Sequence, residues 1–304
     1  MKVLVTGSTG YVGHYIVKAL LAAGHAVVSV SRDAAKSKTA SGTSLEVFSQ
    51  VEYRMGDISN GNGLKQAMIG VNAVIHLVGI IAEKGLQTFQ RVHVDGTRNV
   101  LEAASAAGVK RYLHMSALGA SASAVSGYSS SKFQAEELVR ASSLDWTIFR
   151  PSLVFGVGDD FFGHVLRNLV SSTPIVPQIG DGHFPFRPVW VGDVASCYLQ
   201  ALEKPETIGK IFDLVGPKEY SFAQLLDLEQ AALGLKKPKV AVPVPIMDIM
   251  VPLMNIVPAI APITKDQYAM LKAGNTGDPE TMNKTFQLEQ RDLQTELPLI
   301  LGKK

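Results

Sequence analysis

The sequence predicts an α/β fold in which a doubly wound parallel sheet is joined to a smaller, mostly helical C-terminal lobe. Short runs rich in valine and isoleucine alternate with longer amphipathic segments through the first half of the 304 residues. Continuous apolar runs of this kind are typical of parallel strands buried on both faces. A glycine-rich turn follows the first run directly, and beyond about residue 151 prolines multiply while helices replace most strands.

The predicted elements follow in order along the chain. Six apolar runs are expected to form strands: KVLVTG (2–7), AVVSVSR (26–32), VEYRMGD (51–57), NAVIHLVG (72–79), KRYLHMSA (110–117) and DWTIFRPS (145–152). The 3.6-residue apolar period predicts helices over 11–23, over 88–108 and from residue 128 onward. After residue 151 we expect helices over 191–204 and 221–234, with a strand, GKIFDLVG, between them.

Composition limits the possible functions. The hydrophobic fraction of 46% and the charged fraction of 18% are those of an ordinary globular protein, and a net charge of +2 without a basic block predicts no nucleic-acid partner. The single cysteine, Cys197, excludes an internal disulfide and suits a reducing compartment. We interpret it as a packing thiol rather than a nucleophile. The opening MKVLVTGSTG does not resemble a signal peptide, since its apolar run is short.

A glycine-rich loop lies between the first strand and the first helix. Glycines at three-residue intervals allow a tight turn and a close approach to a pyrophosphate, while the helix N-terminus supplies free N–H groups. The sequence therefore predicts a dinucleotide-binding (Rossmann) domain over 1–150 and a substrate or partner lobe over 151–304, partly threaded back into the first. The expected loop contacts are Gly7, Thr9, Gly10, Tyr11, Val12 and Gly13.

The end of the second strand indicates which dinucleotide is bound. An acidic residue there would bind the ribose 2′-hydroxyl of NAD, whereas this strand ends with Ser31 and Arg32. An arginine suits the 2′-phosphate of NADP. We therefore predict NADP(H) over NAD(H), with Lys36 and Lys38 adding positive charge; a one-residue shift would instead place Asp33 at the position.

The third strand is followed by a carboxylate that has two possible roles. Asp57, with Ile58 beside it, is expected either to contact the adenine edge or to cap the turn that follows. Both alternatives fit the sequence equally well.

A tyrosine and a lysine four residues apart, Tyr128 and Lys132, open the helix after the fifth strand. This spacing puts both side chains on one helix face, about one turn apart. An ammonium beside a phenol favours the phenolate, so the pair is a candidate proton-transfer device.

These motifs together resemble the extended and atypical short-chain dehydrogenase/reductases, which lie near the nucleoside-diphosphate-sugar epimerases and dehydratases of the NAD-dependent epimerase/dehydratase superfamily. Within this group, the sequence is similar to the NADPH-binding accessory subunit of respiratory complex I and its bacterial relatives. The resemblance covers residues 1 to about 275. Besides the glycine loop and the Tyr-Lys pair, it rests on VDGTRNVLEAA, FRPSLVFG, VWVGDVA, HMSALGA, IGDG and PITKDQYAMLKAGN.

The resemblance implies roles for individual residues. Tyr128 would be the acid/base, Lys132 its partner and a holder of the nicotinamide ribose, and Ser116 the hydroxyl that orients the substrate. A free phenol has a pKa of about 10, so work near pH 7 requires a depression of about 3 units. Further cofactor contacts are expected at Leu77, Val78 and Gly79 after the fourth strand, and at Pro151, Ser152 and Leu153 after the sixth.

Other polar residues are expected to have structural roles. His93 stands where the family usually has an asparagine that helps order the lysine, which weakens the case for turnover; it either replaces that group or packs as a structural histidine. Arg150 is expected to pair with a carboxylate and Asp193 to cap the helix that follows it. The other histidines show no metal-like spacing, so no metal site is predicted.

A Met- and Pro-rich segment, residues 242–263, is a poor membrane-spanning candidate because five prolines, Asp248 and Asn255 interrupt it. It is either a core or pocket-lining helix or a docking surface for a protein or membrane complex.

Two functions follow from the sequence. The first is an NADP(H)-dependent oxidoreductase or epimerase-type enzyme acting on a small carbonyl or a nucleotide-linked sugar. The second is a non-catalytic NADPH-binding accessory subunit or assembly factor of a membrane respiratory complex. The expected location is cytoplasmic or peripheral to a membrane.

Overall fold

The computed structural model describes residues 1–32, 49–254 and 263–302. The predicted contributions of Asp33, Lys36 and Lys38 lie outside these residues, as does the 255–262 part of the predicted docking segment. The strands are β1 (Lys2–Thr6), β2 (Ala26–Ser31), β3 (Glu52–Met55), β4 (Ala73–His76), β5 (Arg111–Met115), β6 (Asp145–Pro151), β7 (Val154–Phe155), β8 (Val176–Ile179), β9 (Pro185–Phe186), β10 (Val189–Trp190), β11 (Lys210–Leu214), β12 (Tyr220–Ser221) and β13 (Lys239–Val242).

Eleven α-helices are present in the described part of the chain, together with π-helical turns at Gln90–Asp95 and Phe161–Leu166 and a 3₁₀ turn at Pro205–Thr207. The helices are α1 (Tyr11–Ala22), α2 (Leu64–Ala67), α3 (Gly96–Ala106), α4 (Gly127–Arg140), α5 (Arg167–Ser171), α6 (Val191–Ala201), α7 (Phe222–Leu233), α8 (Val244–Met254), α9 (Lys265–Ala273), α10 (Glu280–Thr285) and α11 (Leu293–Ile300).

The central feature is a seven-stranded sheet in the order β11-β6-β5-β4-β1-β2-β3. β1 pairs in parallel with both β2 and β4, and the strands wind outward in opposite directions from it. The predicted doubly wound α/β fold is thus confirmed, and all seven predicted strands are present. The strand order reverses beside β1. In doubly wound sheets, ligands bind at the carboxyl ends of the strands next to such a reversal.

Compact packing divides the chain into two units. The first comprises residues 1–151, 192–213 and 280–288. Its apolar core is built from the sheet and the helices α2, α3 and α4, and its members include Leu4, Val74, Val100, Tyr112, Val139 and Ile148. Because the strands are apolar on consecutive residues, Val3, Leu4 and Val5 are all fully buried.

The second unit comprises residues 152–191, 214–279 and 289–304. Short two-stranded sheets and the helices α5, α7, α8, α9 and α11 belong to it. A capping box in which Ser221 and Gln224 exchange hydrogen bonds starts α7, and Gly234 in the left-handed conformation ends it. Its core includes Phe155, Phe162, Leu226, Leu293 and Leu297.

Candidate cofactor and active site

The glycine loop turns sharply at the end of β1. Gly7 has a φ of +75°, a conformation that favours glycine, and its carbonyl oxygen accepts the N–H of Gly10 at 3.0 Å. A Cβ atom at Gly13 would lie 2.1 Å from the Gly7 oxygen, so only glycine allows α1 to start this close to the loop. Gly10, the N-cap of α1, offers no side chain to the first-turn amides. This backbone cradle suits a pyrophosphate.

A pair of buried serines, not predicted from the sequence, fastens the loop to the next strand. Ser8 Oγ and Ser29 Oγ lie 2.5 Å apart and share a hydrogen bond. Ser29 is on β2, two residues before the predicted ribose-side contact Ser31. The contact therefore fixes the glycine loop relative to the end of β2. An isolated serine in each motif carries no pattern that would reveal it.

The residues predicted near the adenosine part of the dinucleotide differ in how many contacts they already make within the protein. Asp57 accepts the backbone N–H and the hydroxyl of Ser59 at 2.8 and 2.7 Å, and the side-chain amide of Asn60 at 3.3 Å. Of its two predicted roles, the structure shows the turn-capping one. Ile58 packs against the main apolar core, whereas Arg32 at the end of β2 is exposed.

The turn after β4 brings the glycine loop and Lys132 close together. Leu77 is buried and donates its N–H to Thr6 O at 3.2 Å. A Cβ atom at Gly7 would lie 3.2 Å from the backbone nitrogen of Val78, and one at Gly79 would lie 3.3 Å from Lys132 Nζ. The residues predicted to contact the cofactor on β1 and after β4 therefore share one edge of the sheet.

The predicted catalytic residues follow from β5 and α4. Ser126 caps α4 by accepting the N–H of Ser129 at 3.1 Å, which places Tyr128 in the first turn and Lys132 one turn later. Lys132 is buried and donates from Nζ to Met115 O at 2.8 Å, one residue before Ser116. The Ser116 side chain is buried and its Oγ has no hydrogen-bond partner among the described residues. An unpaired hydroxyl here suits a ligand oxygen.

His93 connects the turn after β4 to the helix that carries Tyr128. Its Nε2 accepts the N–H of Ile80 at 3.0 Å, and its Nδ1 lies 2.8 Å from Ser131 Oγ, which donates to Tyr128 O at 2.8 Å. Because Ile80 N–H can only donate and the Ser131 proton is used, the bonds assign the neutral Nδ1–H tautomer. Its ring stacks on Phe89 and meets the edge of Tyr128.

Burial determines the ionisation of these groups. Desolvation, followed by the charge of Lys132, lowers the pKa of His93 to about 3, which keeps the imidazole neutral. Desolvation lowers the pKa of Lys132 to about 8, opposed by the charge of Glu136. Desolvation raises the pKa of Tyr128 to about 12. The sequence led us to expect a depressed tyrosine pKa; the protein groups alone shift it in the opposite direction.

A layer of buried aromatic and imidazole rings lies beneath this edge. His76 on β4 is opposite His114 on β5, and their rings stack at 5.5 Å, with Tyr112 next to both. Thr6 Oγ1 lies 2.7 Å from His76 Nδ1, but no hydrogen-bond partner among the described residues reaches His76 Nε2, either nitrogen of His114 or the Tyr112 hydroxyl. The sequence showed these residues only as parts of strands.

Other predicted residues have defined places. Arg150 donates to Glu136 through two hydrogen bonds of 2.8 and 2.6 Å, which confirms its predicted carboxylate partner. Pro151 ends β6 and accepts the N–H of Leu118 at 3.1 Å. Asp193 is buried in the first turn of α6. Cys197 is buried, and desolvation raises the pKa of its thiol, in agreement with a packing role.

Two predicted cofactor contacts, Ser152 and Leu153, belong to the second unit. Ser152 is buried there and donates its N–H to Leu214 O at 2.9 Å. Within the described ranges, no group of three or more His, Cys, Asp or Glu side chains is placed to hold a metal ion.

The described part of the Met- and Pro-rich segment forms α8. Its side chain Asp248 accepts hydrogen bonds from Tyr268 at 2.9 Å and Lys272 at 2.6 Å, and Val251 is buried. The outer face is apolar and exposed; it consists of Ile246, Ile249, Met250 and Leu253. In the portion of the chain described, no helix has the length and apolar character needed to cross a membrane.

The glycine cradle, the strand reversal beside β1 and the Tyr-Lys pair at the same sheet edge define a dinucleotide-binding protein of the short-chain dehydrogenase/reductase class. The chain belongs to the NAD dependent epimerase/dehydratase family, whose profile matches residues 3–214. The resemblance noted from the sequence is thereby confirmed.

Two curated relatives indicate the range of this group. The chain is 28% identical over 240 residues to the mitochondrial NADH-ubiquinone oxidoreductase 40 kDa subunit of Neurospora crassa, a match covering 79% of this chain and 62% of that one. It is 34% identical over 182 residues to a ceramide reductase of Caulobacter vibrioides, covering 58% and 53%. The chain thus spans under two thirds of the length of these relatives.

Solved structures share the fold. The UDP-glucuronic acid 4-epimerase of Bacillus cereus, in complex with UDP-glucuronic acid and NAD, matches with a TM-score of 0.74 at 19% identity, over 99% of this chain and 98% of that one. At this identity the likeness concerns the fold alone.

Proposed function

We propose that the protein is an NADP(H)-dependent oxidoreductase or epimerase-type enzyme in which Tyr128 transfers the proton, Lys132 supports it and Ser116 orients the substrate. The observation that carries the proposal is the buried, unpartnered Oγ of Ser116 at the sheet edge where Lys132 is fastened to Met115 O. If Ser116 had only a packing role, its buried hydroxyl would remain without a hydrogen bond, which destabilises a fold.

The residues present fit a nicotinamide dinucleotide. The Gly7–Gly13 cradle would hold the pyrophosphate, and Lys132 with Gly79 would lie at the nicotinamide ribose. When bound, the cofactor supplies or accepts a hydride. We propose NADP(H) in preference to NAD(H) because Arg32, exposed directly after β2, offers a guanidinium that would pair with a 2′-phosphate.

The ionisation of Tyr128 bears on its proposed role as the acid. Desolvation by the protein groups alone raises the pKa of Tyr128 to about 12, so in the absence of cofactor the phenol carries its proton at neutral pH. A protonated Oη can donate to a carbonyl oxygen during reduction, whereas oxidation of an alcohol starts from the phenolate. Reduction is the activity named for the relative from Caulobacter vibrioides.

The test is NADPH consumption with a panel of carbonyl compounds and sugar nucleotides, compared in wild type and Tyr128→Phe. We expect kcat to fall about 10²–10⁴-fold in the variant while the Kd for NADPH is unchanged. Tyr268→Phe, which removes a hydroxyl from the second unit, is the matched control and should retain activity. Full activity of Tyr128→Phe would overturn the assignment of the acid.

A second function is favoured by a specific observation, the exposed apolar face of α8. We propose as the alternative a non-catalytic NADPH-binding accessory subunit or assembly factor, in which this face docks on a membrane respiratory complex from the cytoplasmic side. Bound dinucleotide would then stabilise the fold by mass action. The Neurospora crassa relative is named as a 40 kDa subunit of the mitochondrial NADH-ubiquinone oxidoreductase.

The two functions separate in one experiment. The accessory role predicts that the protein co-purifies with membrane respiratory complexes and shows no Tyr128-dependent turnover. The double variant Ile249→Ser, Leu253→Ser should lose this co-purification, whereas the control Leu299→Ser, also at an exposed position, should keep it. Turnover without such retention would exclude it.

A further inference from the structure

A short hairpin, residues 80–89, is closed by the single β-bridge between Lys84 and Gln87, and it contacts His93 at its start and Tyr128 at its end. At its start, Ile80 donates its N–H to His93 Nε2 at 3.0 Å. At its end, the ring of Phe89 meets the edge of the Tyr128 ring at 6.0 Å between centroids. The hairpin therefore leaves and re-enters the fold next to the phenol that we assign as the acid.

The hairpin is internally held in one shape. Lys84 and Gln87 exchange two backbone hydrogen bonds of 3.0 Å, and Gly85 between them has a φ of +58°, as a tight turn requires. Glu83 accepts the N–H of Phe89 at 2.7 Å, which closes its base. The tip is thus displayed by a structured turn.

The hairpin exposes large apolar side chains to solvent. Ile81 is 55% exposed and Leu86, at the tip, is 79% exposed. Val125, three residues before Tyr128 on the neighbouring loop, is 68% exposed. Ile81 and Leu86 on the hairpin and Val125 on the loop before α4 lie on the two segments that adjoin the proposed acid, Tyr128. Exposed aliphatic side chains at such a place suit a surface that contacts an apolar ligand.

The charges of these loops do not suit a diphosphate. The loop between Ser116 and Tyr128, ALGASASAVSG, has no charged residue. The hairpin has Glu83 and Lys84, so its net charge is zero. A sugar nucleotide needs concentrated positive charge or free amides for its diphosphate, whereas an aliphatic chain needs apolar surface alone.

We propose that the 80–89 hairpin is a subsite for the aliphatic part of the substrate, and that the substrate is an amphiphilic carbonyl compound with an alkyl chain. This rests on the proposed reductase function and narrows its substrate class. Ile81 and Leu86 set the preference for chain length, while Tyr128 and Ser116 receive the carbonyl group.

The test uses the NADP⁺-loaded protein and a series of methyl ketones from 2-butanone to 2-octanone, with calorimetric Kd as the readout. We expect affinity to rise about fourfold for each methylene that becomes buried. In Ile81→Ser and Leu86→Ser this dependence on chain length should flatten. Ile69→Ser is the control, since Ile69 is 57% exposed but precedes β4, at the opposite end of that strand.

The outcomes are separable. The subsite would be overturned if the wild-type Kd did not depend on chain length. It would also be overturned if UDP-glucose bound tightly and the two hairpin variants left that binding unchanged. In either case, Tyr128-dependent turnover would still support the proposed function. Failure of the wild-type protein to bind NADPH would overturn both.

Discussion

The buried polar side chains at the two ends of strand β5 differ in their hydrogen bonding. At its first residue, the Arg111 guanidinium is nearly fully buried, and each of its three nitrogens donates to an acceptor. These are Asp145 O at 2.6 Å, Thr147 Oγ1 and Thr207 Oγ1 at 2.7 Å, and Ala201 O at 2.8 Å. At the other end, the side chains of His114 and Ser116 are equally buried and have no partner among the described residues.

This contrast indicates that the first end of β5 contributes to stability and the other end to ligand binding. A buried cation that donates from all three nitrogens holds strands and helices together, whereas buried polar atoms without partners destabilise the fold. The carboxyl ends of parallel strands are where ligands bind, so the unsatisfied end of β5 is the end where a ligand would supply the missing partners.

The largest effect is expected at the satisfied end. Arg111→Met should lower the free energy of unfolding by about 3–5 kcal/mol, because it leaves several buried acceptors without a donor. The Kd for NADPH of the folded fraction should not change. The control is Arg98→Met, since Arg98 is exposed and, among the residues that the structure describes, forms its ion pair with Asp95, three residues away; we expect a change within about 0.5 kcal/mol. Urea denaturation of both variants measures the difference. An equal loss in both would contradict the comparison.

In the second unit, a buried carboxylate without hydrogen-bond partners is also expected to destabilise the fold. Glu229 is fully buried and neither carboxylate oxygen has a hydrogen-bond partner in the described chain. Desolvation, then the charge of Asp159, raises its pKa to about 8 from 4.5. The folded protein keeps this proton where the unfolded chain has lost it, so wild-type stability should fall as the pH rises from 4.5 to 8.

Glu229→Gln removes this pH dependence. At pH 7 we expect the variant to be more stable by about 3 kcal/mol, whereas the two proteins should be alike near pH 4. Unfolding curves from pH 4 to 8 measure this. The same slope in the variant would show that Glu229 has partners in solution. A loss of NADPH binding in the variant would show that unpartnered groups mark ligand sites in this unit as well.

A smaller loss of stability is expected for His93, whose two ring nitrogens both have hydrogen-bond partners. His93→Phe keeps the stacking on Phe89 but removes the bonds to Ile80 and Ser131, so the free energy of unfolding should drop by about 1–2 kcal/mol. The Kd for NADPH should also rise, because the turn at Gly79 loses its attachment. His93→Asn, which restores the residue usual in the family, serves as the comparison. Unchanged stability and Kd in His93→Phe would show that the imidazole is only packing.

The smallest effect concerns two hydroxyls that have no partner in the described part of the chain, that of Tyr112 on β5 and that of Ser116 directly after β5. Tyr112→Phe and Ser116→Ala should each leave the free energy of unfolding unchanged or raise it by at most about 1 kcal/mol, because each removes an unsatisfied group. Only Ser116→Ala should reduce turnover, by about tenfold or more. Denaturation and steady-state kinetics on both variants decide this, and equal turnover would remove Ser116 from the active site.

Local patterns were enough to predict much of the molecule. The glycine spacing predicted the loop between β1 and α1, and the apolar runs predicted all seven strands of the main sheet, because these signals depend on residues close in sequence. The four-residue spacing of Tyr128 and Lys132 placed them on one face of α4. The carboxylate partner of Arg150 was foreseen as a type of group, but not as Glu136.

The remainder depends on contacts between distant residues. The partners of Arg111 lie 34 to 96 positions away, and the stack of His76 on His114 requires the register of β4 against β5. The depression of the Tyr128 pKa stays a prediction, because it concerns the site with its cofactor bound, whereas desolvation by the protein groups alone raises that pKa. The 80–89 hairpin has no alternating apolar pattern that would identify it.

The position of β11 has a consequence for biosynthesis. β6 ends at Pro151, but its neighbour β11 starts only at Lys210. At a ribosomal rate of about 5–20 residues per second, the backbone edge of β6 stays open for roughly 3–12 s after its own synthesis. During that interval the nascent chain presents an unpaired, apolar strand edge, to which another nascent chain can add. Chaperone contact with the emerging polypeptide is therefore expected to be concentrated between these two strands.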